Sequence, residues 1–225
     1  MKRIIIGLFA SLFLSSAAFA GQIGIGVTGS YASISADGTE SDKDGSADTS
    51  TRNASASHDI VVPSIFAEYT FDNGYTLGYD LTLGSADVNS KSITRTDATS
   101  DNNETTQDDG DRTAQAEIEN VTSIYAEVPI SAGYYVKGGY VQMDVNTLES
   151  ETVAGGSTYG NETVSGLIFG LGFKNSFGNN GFYKIEGSYT DMDEMTFNSS
   201  ETDKGNKITA DLDVTKATFA IGYNF

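Results

Sequence analysis

Ile23-Gly24-Ile25-Gly26-Val27-Thr28-Gly29-Ser30-Tyr31 is the stretch whose reading decides the fold. Ile23, Ile25, Val27, Gly29 and Tyr31 are mostly large and apolar. Gly24, Gly26, Thr28 and Ser30 lie between them. A period of two with β-branched and aromatic residues is the pattern of a strand. The alternation returns in Val61–Phe71, Tyr75–Leu83, Ile118–Ile130, Tyr134–Tyr140, Leu167–Phe173, Tyr183–Tyr189 and Ala217–Phe225. Eight strands are therefore expected, and no helical stripe of comparable strength follows residue 20.

The connections alternate too. Asp72-Asn73-Gly74, Ser131-Ala132-Gly133 and Gly178-Asn179-Asn180-Gly181 read as tight hairpin turns, because their residues tolerate positive φ. The other four connections, Ala36–Asp59, Ser85–Glu117, Asn146–Thr163 and Thr190–Asp213, are long and polar. They hold 24 of the 31 acidic residues and only two aromatics, Tyr159 and Phe197. Such composition buries too little apolar area to offset ordering entropy, so these segments are expected to be mobile loops. An up-and-down meander puts the short turns at one end and the long loops at the other. Ser64-Ile65-Phe66-Ala67-Glu68 returns as Ser123-Ile124-Tyr125-Ala126-Glu127, a weak repeat of a hairpin unit.

Composition removes several function classes. The chain has 225 residues, no Cys, one His and a formal charge of −18. Absence of Cys excludes disulfides, thiolate metal sites and a Cys nucleophile. One His excludes a multi-His zinc site. The acidic balance argues against nucleic acid, whose phosphates call for Lys and Arg. Residues 1–20 carry Lys2 and Arg3, an apolar core from Ile4 to Leu14, and Ala18-Phe19-Ala20 before Gly21. That is the pattern of a cleaved secretory signal peptide, leaving 21–225 as one barrel domain. Losing Lys2 and Arg3 takes the charge to −20.

Two opposite objects fit eight alternating strands. A lipocalin-like soluble barrel turns its apolar face inward. An outer-membrane barrel turns it to lipid. The polar face here carries Gly24, Gly26, Gly78, Gly84, Gly139, Gly166, Gly170, Gly172 and Gly222, beside Thr28, Ser64, Thr76 and Thr82. Glycines suit a narrow interior better than a solvated surface. The bulky face lacks charge, which in lipid costs about 2–4 kcal/mol near the midplane. Tyr69, Phe71, Tyr75, Tyr134 and Tyr223 lie toward strand ends, where interfacial girdles sit. The expected fold is an all-β, eight-stranded, antiparallel, up-and-down transmembrane β-barrel with short periplasmic turns and long extracellular loops.

The chain resembles the small eight-stranded outer-membrane barrels of Gram-negative bacteria: the barrel of the OmpA type, OmpX and the opacity proteins. The resemblance runs through the whole chain at the level of architecture. Its most specific residues are Phe219, Ile221, Tyr223 and Phe225 in the closing strand, similar to the signal read by the barrel-assembly machinery. It implies residence in the outer membrane among lipid and lipopolysaccharide, as a monomer without a cofactor, with roles in envelope integrity or surface interaction.

Nine charges fall on the face expected inside: Glu68, Asp80, Glu119, Glu127, Lys137, Lys174, Lys184, Glu186 and Lys216. A hairpin centred on Ala132 sets Glu127 opposite Lys137. These groups are expected to form an ion-pair network that fills a narrow barrel, since eight strands enclose little more than side chains; the alternative is an ion pathway. His58 stands at the predicted outer rim, where Ser57, Ser85 and Asp87 are potential partners, but no spacing supports a triad. Glu40-Ser41-Asp42-Lys43-Asp44-Gly45 faintly resembles the start of an EF-hand loop, but its twelfth position is Thr51. The acidic loops read first as solvated, repulsive segments; weak divalent-cation binding there is the alternative, and no defined metal site is expected. The function expected is a non-enzymatic outer-membrane scaffold for acidic surface loops. The alternatives are a narrow porin and a rim-sited lipid A-modifying enzyme.

Overall fold

The computed structural model describes residues 21–43, 49–88, 93–97, 110–148, 150–151, 158–200 and 206–225. The signal segment 1–20 lies outside the described residues, as do positions 44–48 of the EF-hand-like stretch. The strands are β1 (Gly21–Lys43), β2 (Thr49–Phe71), β3 (Thr76–Thr82), β4 (Ala86–Asp87), β5 (Ile93–Asp97), β6 (Gly110–Ala114), β7 (Ala116–Ser131), β8 (Tyr134–Thr147), β9 (Ser150–Glu151), β10 (Glu162–Phe177), β11 (Gly181–Met192), β12 (Met195–Asn198) and β13 (Lys207–Asn224). Eight of them form an antiparallel ring in the order β1-β2-β3-β7-β8-β10-β11-β13. It closes where β13 pairs β1 from Gly24↔Asn224 to Ser41↔Lys207. A closed ring leaves no edge in lipid, the condition for a sheet to cross a bilayer.

The polar segments differ from expectation. β1 and β2 pair without a break from Gly21↔Phe71 to Lys43↔Thr49, so the described part of Ala36–Asp59 is a hairpin and not a loop. β12 pairs β13 inside Thr190–Asp213. β5, β6 and β9 form a small three-stranded sheet. A strand of 23 residues spans roughly 75 Å at the usual rise, far beyond the roughly 30 Å of a hydrocarbon core. The barrel therefore continues well past the membrane on its long-loop side. Bulk composition concealed this because the buried residues are sparse and alternate. Val88, Val145, Met195, Phe197 and Leu212 supply the core that holds these extensions together.

The two barrel designs that the alternation allows are stacked in one wall. Along β1, Ile25, Val27 and Tyr31 face outward at 48%, 52% and 55% exposure. Two residues later the outward positions become Ser33, Ser35 and Asp37, while Ala32 and Ile34 are buried inside. β8 repeats the change: Tyr134, Val136 and Tyr140 are exposed, then Val141, Met143 and Val145 are buried inside. β13 does so in reverse chain order, from exposed Ile221 and Phe219 to buried Val214 and Leu212. The side-chain period never changes, but the face that bears the apolar residues does. The lower half is built for lipid outside and the upper half for water outside. Tyr31 and Tyr189 mark the border, donating hydroxyl bonds of 2.8 and 2.7 Å to Asp59 and Asp213 just above the belt. Aromatic rings with hydroxyls aimed at water are the residues of a membrane interface.

A bulge moves one charge. Asn120 has φ 55°, and the β7–β8 register shifts between Glu119 and Thr122. Below it Ser123, Tyr125 and Glu127 are buried inside; above it Ile118 is. One extra residue exchanges the two faces. Ile118, expected on the lipid side, joins the core, and Glu119, expected inside, sits on the outer face.

Candidate functional site

The interior below the belt's midpoint is shut by an ion-paired plug. Glu68 on β2 is fully buried, and both its oxygens are engaged. Lys174 Nζ donates to Oε1 at 2.5 Å, and Lys184 donates to Oε2. Lys184 also donates to Glu127 at 2.6 Å. Glu186 accepts from Lys137 at 2.9 Å and from the Tyr135 hydroxyl at 3.0 Å. The register does set Glu127 opposite Lys137, yet their ion pairs run elsewhere. Lys174 faces Lys184 across β10 and β11, a repulsive pair that Glu68 reconciles from β2. Hairpin arithmetic could not find that carboxylate. It arrives only when ring closure brings β2 across from β10 and β11.

Four inward aromatic rings complete the plug; Phe66 and Tyr125 stand out in the sequence only as members of the hairpin repeat, and none of the four is among the expected site residues. Phe66, Tyr125, Tyr135 and Phe182 surround the Lys184 ammonium with centroids 5.4–5.9 Å away, within cation–π range. Each ring lies over a glycine directly opposite on a neighbouring strand: Phe66 over Gly26, Tyr125 over Gly78, Tyr135 over Gly172 and Phe182 over Gly222. A Cβ at these glycines would meet the ring at 2.5, 2.1, 2.3 and 2.3 Å respectively. The inward glycines thus make room for particular rings. The signal available in the sequence was an aromatic on the polar phase of a strand. Gly172→Ala pushes Tyr135 away from Glu186 and is expected to cost about 1–3 kcal/mol, the usual penalty of overpacking. Gly187→Ala, with nothing within 4 Å of its Cβ, changes stability by about 0.5 kcal/mol or less. Urea midpoints read from heat-modified gel mobility distinguish the two.

Cavities line up along the axis. A funnel of about 410 Å³ at the short-turn end touches Thr70, Thr76, Glu127 and Lys174 and stops at the plug. Above the plug is a polar cell of about 30 Å³ among Ser30, Ser64, Ser123, Asp80 and Lys216. Over it lies an apolar chamber of about 70 Å³ lined by Ala32, Ile34, Val62, Ile118, Val141 and Met143. A further cavity of about 230 Å³ reaches the long-loop end beside Ala36, Met195, Phe197 and Leu212.

The chamber touches a break in the wall. β3 leaves β2 after Ser64↔Thr82. The last rung is the Leu83 N–H donating to the Pro63 carbonyl at 2.8 Å. Pro63 has no N–H to return, so the ladder ends there. Gly84 then turns away with φ +87°, and β4 pairs β7 alone. Among the described residues, β2 beyond Pro63 has only β1 as a partner. Val62, Gly84, Ser85 and Ala86 line the chamber on both sides of the break. The break starts at the level of Tyr31 and Val61, the top of the lipid-facing belt.

Other expected site residues are dispersed. His58 lies on the inner phase of β2, so its neighbours Ser57 and Asp59 project to the opposite face. Ser85 donates to Glu117, Asp87 is exposed, and no catalytic array forms among them. No group of three His, Asp or Glu side chains suited to a metal ion occurs among the described residues. Phe219, Ile221, Tyr223 and Phe225 all face outward. No protein-family model and no curated protein matches the sequence. Solved structures do resemble it. The outer membrane protein OprG of Pseudomonas aeruginosa is 14% identical with TM-score 0.47, covering 92% of this chain and 97% of its own. The outer membrane protein AlkL is 12% identical with TM-score 0.44, covering 92% and 91%. The outer membrane protease OmpT of Escherichia coli is 11% identical with TM-score 0.41, covering 94% and 100%.

The fold is that of an outer-membrane β-barrel. The closed ring and its apolar belt establish this by themselves. Neighbours this distant, a protease among them, do not choose an activity.

Proposed function

We propose that this outer-membrane barrel takes up small apolar molecules from outside and releases them sideways into the bilayer. One observation carries the reading: an apolar chamber sits on a shut floor and adjoins a wall break at the top of the lipid-facing belt. A molecule in the chamber meets buried charge below and, through the break, the membrane interface at the upper rim of the lipid-facing belt. Transfer from Ile34, Ile118 and Val141 to acyl chains involves little change in apolar burial, whereas the axial route would displace paired charges at a cost of several kcal/mol. The ion pairs speak against the narrow-porin alternative. In this reading the signal segment 1–20 exports the chain, and the final Phe of the closing strand serves assembly. The acidic outer faces meet lipopolysaccharide, with divalent cations between.

The test compares uptake of an apolar fluorescent solute by cells making the wild-type protein or Ala32→Phe. Ala32 is 1% exposed and lines the chamber, so a phenyl ring there fills it. Uptake is expected to fall to the level of cells without the protein. Planar bilayers should show no steady ion current. Equal uptake in both strains, or reproducible conductance steps, overturns the reading.

A further inference from the structure

Lys137, Lys174 and Lys184 each have a carboxylate partner within 4.0 Å. Lys216, the fourth lysine inside the barrel, has no ion pair within that distance and no hydrogen bond among the described residues. Asp80, on β3, likewise has no cation within 4.0 Å. Both side chains line the polar cell and the apolar chamber above it. They stand where the polar lower interior meets the apolar upper one, oppositely charged and unbridged.

Charge arithmetic restricts what can bridge them. Glu68, Asp80, Glu127 and Glu186 balance Lys137, Lys174, Lys184 and Lys216 inside the barrel. An alkyl carboxylate or an alkylammonium would add an uncompensated charge to a low-dielectric interior. An alkane would leave Lys216 and Asp80 as they are. A hydroxyl is neutral, accepts from an ammonium and donates to a carboxylate. The cell holds about 30 Å³, so the polar head has to be small.

We propose that the chamber selects amphipathic alcohols, with the hydroxyl set between Lys216 and Asp80 and the alkyl chain lying along Ile34, Ile118, Val141 and Met143. This rests on the uptake reading and names its substrate class. The chain end points toward Met143, Met192 and Met195, whose unbranched thioethers adapt to varied shapes. Lys216 acts as the donor that fixes depth, and Asp80 as the acceptor that excludes a second anion.

The methionines provide the readout. Apart from Met1, the chain contains only Met143, Met192 and Met195, and all three belong to the buried cluster around the chamber. The experiment titrates 1-octanol, octane and octanoate at equal mole fractions in lipid nanodiscs holding the protein with carbon-13 methionine methyls. Octanol is expected to shift the Met143 methyl saturably, and octanoate much more weakly. Lys216→Leu should weaken octanol binding about tenfold, the scale of one hydrogen bond to a charged group, without weakening that of octane. Asp80→Leu/Lys216→Leu removes both charges together and should show the same loss if the single variant folds poorly. Octanoate binding as well as octanol overturns the proposal. So does octanol affinity unaltered in both variants. Silence of Met143 toward octanol and octane alike overturns the uptake reading together with it.

Discussion

Glu68→Ala is expected to lower barrel stability by about 3–5 kcal/mol, the cost of removing one partner from a buried ion pair. Glu68 is fully buried and holds two lysines that face each other across β10 and β11. Without it, Lys174 has no carboxylate and the repulsion between the pair is exposed. Lys184 keeps Glu127. Glu68→Ala/Lys174→Met should therefore recover part of the loss, because the orphaned cation goes with the anion. Urea titration in lipid vesicles, read by heat-modified gel mobility, measures both. A single variant within about 0.5 kcal/mol of wild type, the range of ordinary surface changes, would mean that the plug does not hold the barrel shut. Lys137→Ala is milder and acts at a different place from the one hairpin spacing suggests. It strips Glu186 rather than Glu127, and Glu186 keeps the Tyr135 hydroxyl.

A lysine scan of β1 should show the intolerant face switching at Tyr31, from outward below it to inward above it. Val27 faces lipid, and Val27→Lys is expected to cost about 2–4 kcal/mol, as for a cation near the bilayer midplane. Ser35 faces outward above the belt, and Ser35→Lys is expected within about 0.5 kcal/mol of wild type. Ile34, 3% exposed inside the upper barrel, gives the largest effect of the three. Ile34→Lys places an unpaired ammonium in an apolar chamber and is expected to prevent stable folding of the upper wall. If Ile34→Lys and Ser35→Lys behaved alike in the same titration, the inversion of faces would be wrong.

Much of the architecture is legible because alternation is local. Eight strands, three tight turns at one end and a lipid-facing apolar phase follow from residues such as Ile25, Val27 and Tyr31 without long-range knowledge. The same rule misled at Ile118 and Glu119, since one αL residue, Asn120, shifts the phase and period counting does not register an insertion. It also misled in the polar segments. There Val88, Met195, Phe197 and Leu212 are too sparse to raise bulk hydrophobicity, yet they alternate well enough to close a core.

The candidate site was legible as a list of charges and not as a set of partners. Glu68, Lys174 and Lys184 are visible in the sequence, but the bonds among them join residues more than 100 positions apart. Pro63 and Gly84 were read as a strand residue and an interior glycine. Their joint effect, ending one ladder and opening the wall, exists only where β2 and β3 part.

By itself, the sequence determines the period, the turns and the sign of each face, because these depend on neighbours two residues away. Ring closure decides the remainder. It selects which carboxylate meets which lysine, seats each ring over its glycine, and leaves Lys216 and Asp80 unbridged. Those are contacts between distant strands, whose energies appear only after the wall has curved around to meet itself.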